Sequence, residues 1–143
     1  WNDAALWIDF TDHKPRQFRY GAMGDKVAWN ANDDASDTDW IKRTVVVNPA
    51  PFQSDSWTHV AMVFSKVNTK KPTFKLYLNG ALQGSIENVN NNPFTWEAEN
   101  GKIMLGLGYI GFMDELAIFN KSLDQKEVKA IFKLKNGIKT LFN

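Results

Sequence analysis

The sequence predicts an all-β antiparallel sandwich closed by one short C-terminal helix. Three observations carry that expectation. Apolar and polar residues alternate in short runs separated by clusters of Pro, Gly, Asn and Asp. Thr73–Leu78 runs straight into Asn79–Gly80, the strongest short hairpin signal, and a second alternating run follows. Only after Asp124 does the apolar spacing turn helical, behind a capping box made by Asp124 and Glu127.

The totals suit one domain. The chain has 143 residues, 43% hydrophobic and 23% charged, the balance of a soluble globular protein. With 17 Lys plus Arg against 16 Asp plus Glu, the net charge is +1 and gives no electrostatic reason to expect nucleic acid or an anionic membrane as partner. No apolar run approaches the roughly 18–20 residues of a membrane span. Cysteine is absent, which excludes a zinc–thiolate site, a disulfide framework and a cysteine nucleophile. Six Trp, ten Phe and three Tyr suit either a sandwich core or a stacking surface, so each ring has to be assigned separately.

In chain order, Ala4–Phe10 alternates Leu6, Ile8 and Phe10 against Ala5, Trp7 and Asp9. Thr11–Pro15 is turn chemistry, and Gln17–Tyr20 and Lys26–Asn30 read as short strands around the Gly21–Gly24 break. Asn30–Asp39 is too polar to bury and reads as a solvated loop; its acidic spacing lacks the glycine and closing glutamate of an EF-hand. Trp40–Val47 resumes extended character, and the prolines of Asn48–Asp55 make a connection. Trp57–Phe64 is the clearest strand, apolar on both faces. Thr73–Leu78 points Phe74, Leu76 and Leu78 inward, and Leu82–Ile86 is its return strand. Glu87–Gly101 is a polar excursion carrying Phe94 and Trp96. Lys102–Leu107 and Phe112–Phe119 complete the predicted strands, and the second of these places Asp114 and Glu115 on opposite faces. Leu123 and Val128 can staple the helix start, Val128, Ile131 and Phe132 form its apolar face, and Gly137 is placed as its terminating glycine.

The motifs Trp57–Ala61, Leu76–Gly80, Gly111–Glu115 and Phe119–Asn120, followed by a helix carrying Glu127, stand in an order that resembles the bacterial laminin-G-like branch of the concanavalin-A-like lectin/glucanase superfamily. The resemblance runs from about Trp57 to Phe132. It implies a jelly-roll sandwich of two curved antiparallel sheets, usually non-catalytic, in a secreted or cell-surface protein that binds glycans, extracellular proteins or its own kind. It further implies that the strand aspartate, here Asp114, either holds a structural calcium ion or ties loop backbone. The family pattern has strands ahead of the region matching Ala4–Phe10. The expected domain is therefore a fragment of a larger exported protein, missing N-terminal strands and able to associate through open edges.

No catalytic residues are expected. Glycoside hydrolysis needs two carboxylates flanking one bond, and adjacent residues on a strand diverge, so Asp114 and Glu115 cannot share an active site. Glu115 is expected to meet a basic residue on its own face. His59 reads as a packed strand residue and His13 as a turn residue, with no serine motif beside either. Glycan binding, the function favoured at this level, needs flat rings on loops; Trp29, Trp40, Trp96 and Tyr109 are the candidates, whereas Trp7 and Trp57 are assigned to packing. The competing reading is an adhesion or structural module whose partner is protein.

Overall fold

The computed structural model describes residues 6–22, 38–67, 69–89, 99 and 102–141. Two three-stranded antiparallel sheets form the body. The first joins β1 (Leu6–Phe10), β2 (Phe18–Ala22) and β3 (Thr44–Val47) in the order β1-β2-β3, with a short helix α1 (Thr38–Lys42) leading into β3. The second joins β4 (Val60–Ser65), β5 (Thr73–Leu78) and β6 (Ala81–Glu87) in the order β4-β5-β6. Helix α2 (Gln125–Phe132) and a 3₁₀ turn (Ile138–Leu141) follow. The all-β antiparallel sandwich with one short closing helix is thus the architecture the sequence predicts.

The core lies between the sheets because the alternation is obeyed on both sides of it. Phe18, Tyr20 and Val45 of the first sheet meet Phe74, Leu76 and Ile86 of the second. Gly84 sets how closely the layers come: a Cβ there would stand 2.8 Å from Val45 Cγ1, so β6 can approach β3 only without a side chain. Burial of the Tyr20 hydroxyl leaves it without a partner among the described residues, and desolvation pushes its pKa above the ordinary tyrosine range. At the far edge β4 is poorly covered, with Met62 43% and Phe64 46% exposed.

The β5–β6 hairpin turns at Asn79–Gly80 with φ of 50° and 75°, the left-handed pair that a tight hairpin turn requires. Leu78 pairs with Ala81, and a register shift beside Leu76 and Tyr77 accommodates one extra residue in β6. On the outer face of the first sheet, Arg19 grips Asp9 directly across the β1–β2 ladder through Nε (2.8 Å) and Nη2 (2.5 Å), and its guanidinium lies 5.4 Å from the centre of the Trp7 ring.

Four expectations need correction. Trp40–Lys42 is helical, and the strand begins only at Thr44, where the β-branched run starts. α2 ends at Phe132, with Lys133 as its C-cap; Gly137, at φ 75°, opens the 3₁₀ turn instead of closing the helix. The alternating stretches 102–107 and 112–119 pair with no strand among the described residues, their only backbone–backbone bond being Tyr109 N–H to the Gly106 carbonyl at 3.1 Å. Left-handed φ values at Gly106, Gly108 and Glu115 break the extended run that a ladder needs. Trp57, assigned to packing, is 69% exposed, because it lies ahead of β4 and not in it.

Candidate functional site

The ring candidates are distributed differently from the sequence expectation. Trp40 is 8% exposed and stacks on Trp7 with centroids 5.6 Å apart, so its face is occupied by another indole. Residue Trp57 stands out in solvent instead. The two tryptophans have exchanged roles, and the position of helix α1 decides it: it folds Trp40 down over the β1–β2 ladder beside Gly21, where a Cβ would overlap the Trp7 ring. Tyr109 is 39% exposed, with one face toward Phe10 at 6.4 Å and its hydroxyl donating to the Phe112 carbonyl at 3.4 Å. Trp29, Trp96 and the acidic loop 30–37 lie outside the described residues. The signal that finds Trp57 is the run of turn residues before it, Gln53–Ser56, which delays the strand.

Asp114 and Glu115 have separate partners, although no strand carries them. Asp114 Oδ1 accepts the Glu115 amide at 2.8 Å. Glu115 itself takes φ 54°, and its Oε2 accepts the Ile138 amide at 3.1 Å, so the carboxylate caps the first N–H of the 3₁₀ turn. Its partner is therefore backbone and not the basic side chain expected. The carboxylate also occupies the space that a Cβ on Gly137 would take, which makes glycine necessary there on two grounds.

A calcium ion takes six to eight oxygen ligands. Asp114 supplies one carboxylate, with one of its oxygens engaged by its own chain, and no cluster of three His, Asp or Glu side chains forms among the described residues.

His59 begins the approach to β4. Its N–H donates to Asn79 Oδ1 and its carbonyl accepts the Asn79 amide, both at 2.9 Å, so it anchors the hairpin turn. Its ring packs 5.9 Å from Phe132 of α2, Nδ1 is buried without a partner, and desolvation holds its pKa below the ordinary histidine value. That is the environment of a packed residue.

The strap 102–119 is open to a partner. Ile103 (71% exposed), Leu107 (81%), Ile110 (98%), Phe112 (86%) and Ile118 (70%) all stand in solvent. Soluble monomers rarely expose a contiguous apolar patch beyond a few hundred Å² unless it meets something.

Comparison with known proteins gives the following. A laminin G-type family model, described as concanavalin A-like lectin/glucanases superfamily, matches residues 2–129. No curated protein matches. Among solved structures, an S-layer domain-containing protein from Clostridium thermocellum ATCC 27405 (residues 221–444) is similar over 93% of this chain, at 19% identity and a TM-score of 0.47; the chain spans 58% of that structure's length. Among the described residues, no helix is long and apolar enough to cross a membrane.

Proposed function

From the premise that the chain belongs to the laminin G-type family of the concanavalin A-like lectin/glucanase superfamily, we propose that it is a non-catalytic interaction module working outside the cell, and that it recognises an extended protein strand. The observation that supports this reading is the strap 102–119. Among the described residues it makes a single backbone–backbone bond, and it sets unladdered backbone beside apolar side chains, the combination that another strand satisfies by adding to an edge. A second copy of the chain is the partner always present, and a net charge of +1 does not hold two copies apart.

Sedimentation velocity across the micromolar range tests this. The expected result is mass that rises with concentration and reverts to monomer in the Ile110→Lys, Phe112→Lys double variant. A wild type that stays monomeric throughout overturns the pairing of copies.

Glycan recognition is the second reading, supported by the exposed rings of Trp57 and Tyr109. A flat indole presented to solvent is a surface on which a sugar ring can stack. A glycan array separates the readings. Hits lost in Trp57→Ala or Tyr109→Ala, with the melting temperature kept, support the lectin-like role; silence alongside self-association supports the strand-pairing one.

A further inference from the structure

The two layers of the sandwich close at one end and stay open at the other. β3 and β6 make the closed end, where Gly84 lets the backbone come up to Val45. The orders β1-β2-β3 and β4-β5-β6 then leave β1 and β4 at the opposite end. Register shows which of their side chains belong inside. Ile8 stands opposite Tyr20, Met62 opposite Leu76 and Phe64 opposite Phe74, so all three share a face with fully buried core residues. Yet Ile8 is 41% exposed, and Met62 and Phe64 are as open to solvent. The core therefore runs out to an apolar opening.

The edge of that opening is fitted for one more strand. β4 pairs with β5 in unbroken register, and Val60–Ser65 carries no charge, no proline and no bulge. Those are the devices that stop a sheet edge from pairing further. The other edge of the same sheet has them, since β6 contains the register shift and ends in Glu87. Beyond its ladder with β5, the β4 backbone takes one hydrogen bond among the described residues, from Ser122 Oγ to the Phe64 carbonyl at 2.7 Å. That bond closes the C-terminal end of the edge and leaves Val60–Val63 open.

The strap holds a matching segment. Ile110 and Phe112 are two residues apart, as Met62 and Phe64 are, so a strand added to β4 sets apolar pair against apolar pair on one face. The segment is tied on either side. The Tyr109 ring stacks on Phe10 of β1, beside the opening, and the Glu115 carboxylate accepts the Ile138 amide. Between these anchors Ile110 and Phe112 stand in solvent and not on the chain's own β4. Segment and opening lie at the same end of the molecule, which lets two copies exchange segments about a two-fold axis.

Resting on the strand-recognition reading above, we propose that this opening is the receiving surface for a second copy. Ile110–Phe112 of one copy adds to the free edge of β4 in the other and covers Ile8, Met62 and Phe64. Each copy gives one segment and receives one, so the contact closes as a dimer and does not run on as a fibre.

The test is sedimentation velocity of two complementary variants of the full chain. Met62→Lys, Phe64→Lys blocks the edge and keeps the strap; Ile110→Lys, Phe112→Lys blocks the strap and keeps the edge. Each alone should be monomeric where the wild type associates, and their equimolar mixture should recover a two-chain species, because one working contact remains. Phe64→Ala alone should raise the dimer Kd about tenfold or more, the loss of one buried ring. Should the edge variant fold poorly, cross-linking asks the same question in a chain that has no cysteine of its own: Met62→Cys oxidised together with Phe112→Cys should give a two-chain product. A wild type that stays monomeric overturns both the strand-recognition reading and this surface. Undiminished association of a folded edge variant means that strap meets strap and overturns the surface alone, as does a mixture that neither associates nor cross-links. A disulfide formed within one monomeric chain of the Met62→Cys, Phe112→Cys double variant assigns the edge to the chain's own strap and overturns the second copy as its occupant.

Discussion

The β5–β6 hairpin and the strap 102–119 carry the same kind of sequence and end in opposite states. Both alternate apolar residues over a similar length, and both contain glycines. In the hairpin, Phe74 and Leu76 are 0% exposed; in the strap, Ile110 is 98% and Phe112 86% exposed. The difference lies in the neighbours. Asn79–Gly80 brings the return strand into register by local geometry alone, and β4 supplies the other edge. Among the described residues no turn returns a partner to the strap, and Glu115, turned left-handed to cap Ile138, interrupts its longer alternating run. Alternation determines which face a side chain takes; a ladder needs a second backbone.

Paired substitutions would break this comparison most directly. Phe74→Ala should cost about 3–5 kcal/mol, the range for deleting a fully buried aromatic, read as a fall in the urea midpoint. Phe112→Ala should stay within about 0.5 kcal/mol, as surface changes do. Equal losses would mean that the strap is buried in the folded state. The next largest effect is at the turn. Gly80→Ala places a Cβ at φ 75° and 3.1 Å from the Phe132 ring, and should cost about 1–2 kcal/mol from left-handed backbone alone.

Asp124→Ala removes one half of the cap and should cost about 1 kcal/mol, with faster amide exchange confined to α2. Loss of exchange protection in β5 as well would show that the helix and hairpin open together. The smallest effect is with pH. His59 has its pKa lowered from the usual 6.5, so the unfolded chain binds the proton more readily than the folded one. Stability should be full above about pH 6.5 and fall as pH drops through that value toward the lower folded one. His59→Gln should flatten the melting-temperature profile in that window while the wild type slopes; parallel profiles would contradict the buried Nδ1.

Glu127 has the same sign of pH dependence, being held below the ordinary carboxylate range by the Lys121 ammonium and the Asp124 amide. Its cap survives to lower pH than an isolated glutamate would.

Much of the fold was legible in the chain. The hairpin, its inward face, the strand Leu6–Phe10 and the capping box of α2 follow from interactions between residues near in sequence, and each is found in the structure. The candidate site was less legible. Trp40 and Trp57 look alike in the sequence, each a ring at the start of an extended run, and only the placement of α1 buries one and leaves the other exposed. Tyr77 alternates with the inward-facing Leu76 and Leu78 and belongs to the opposite face, yet it is buried, because α2 packs Val128 over that face.

By itself the sequence determined an all-β antiparallel chain with a capped terminal helix, and the order of motifs that places it among the laminin G-type domains. Those are properties of spacing, and spacing is local. Tertiary structure alone decided that Glu115 caps a turn 23 residues away, that two alternating stretches have no ladder among the described residues, and that Trp40 is buried while Trp57 is exposed. Each depends on which distant backbone arrives beside a residue, and no pattern along the chain specifies that.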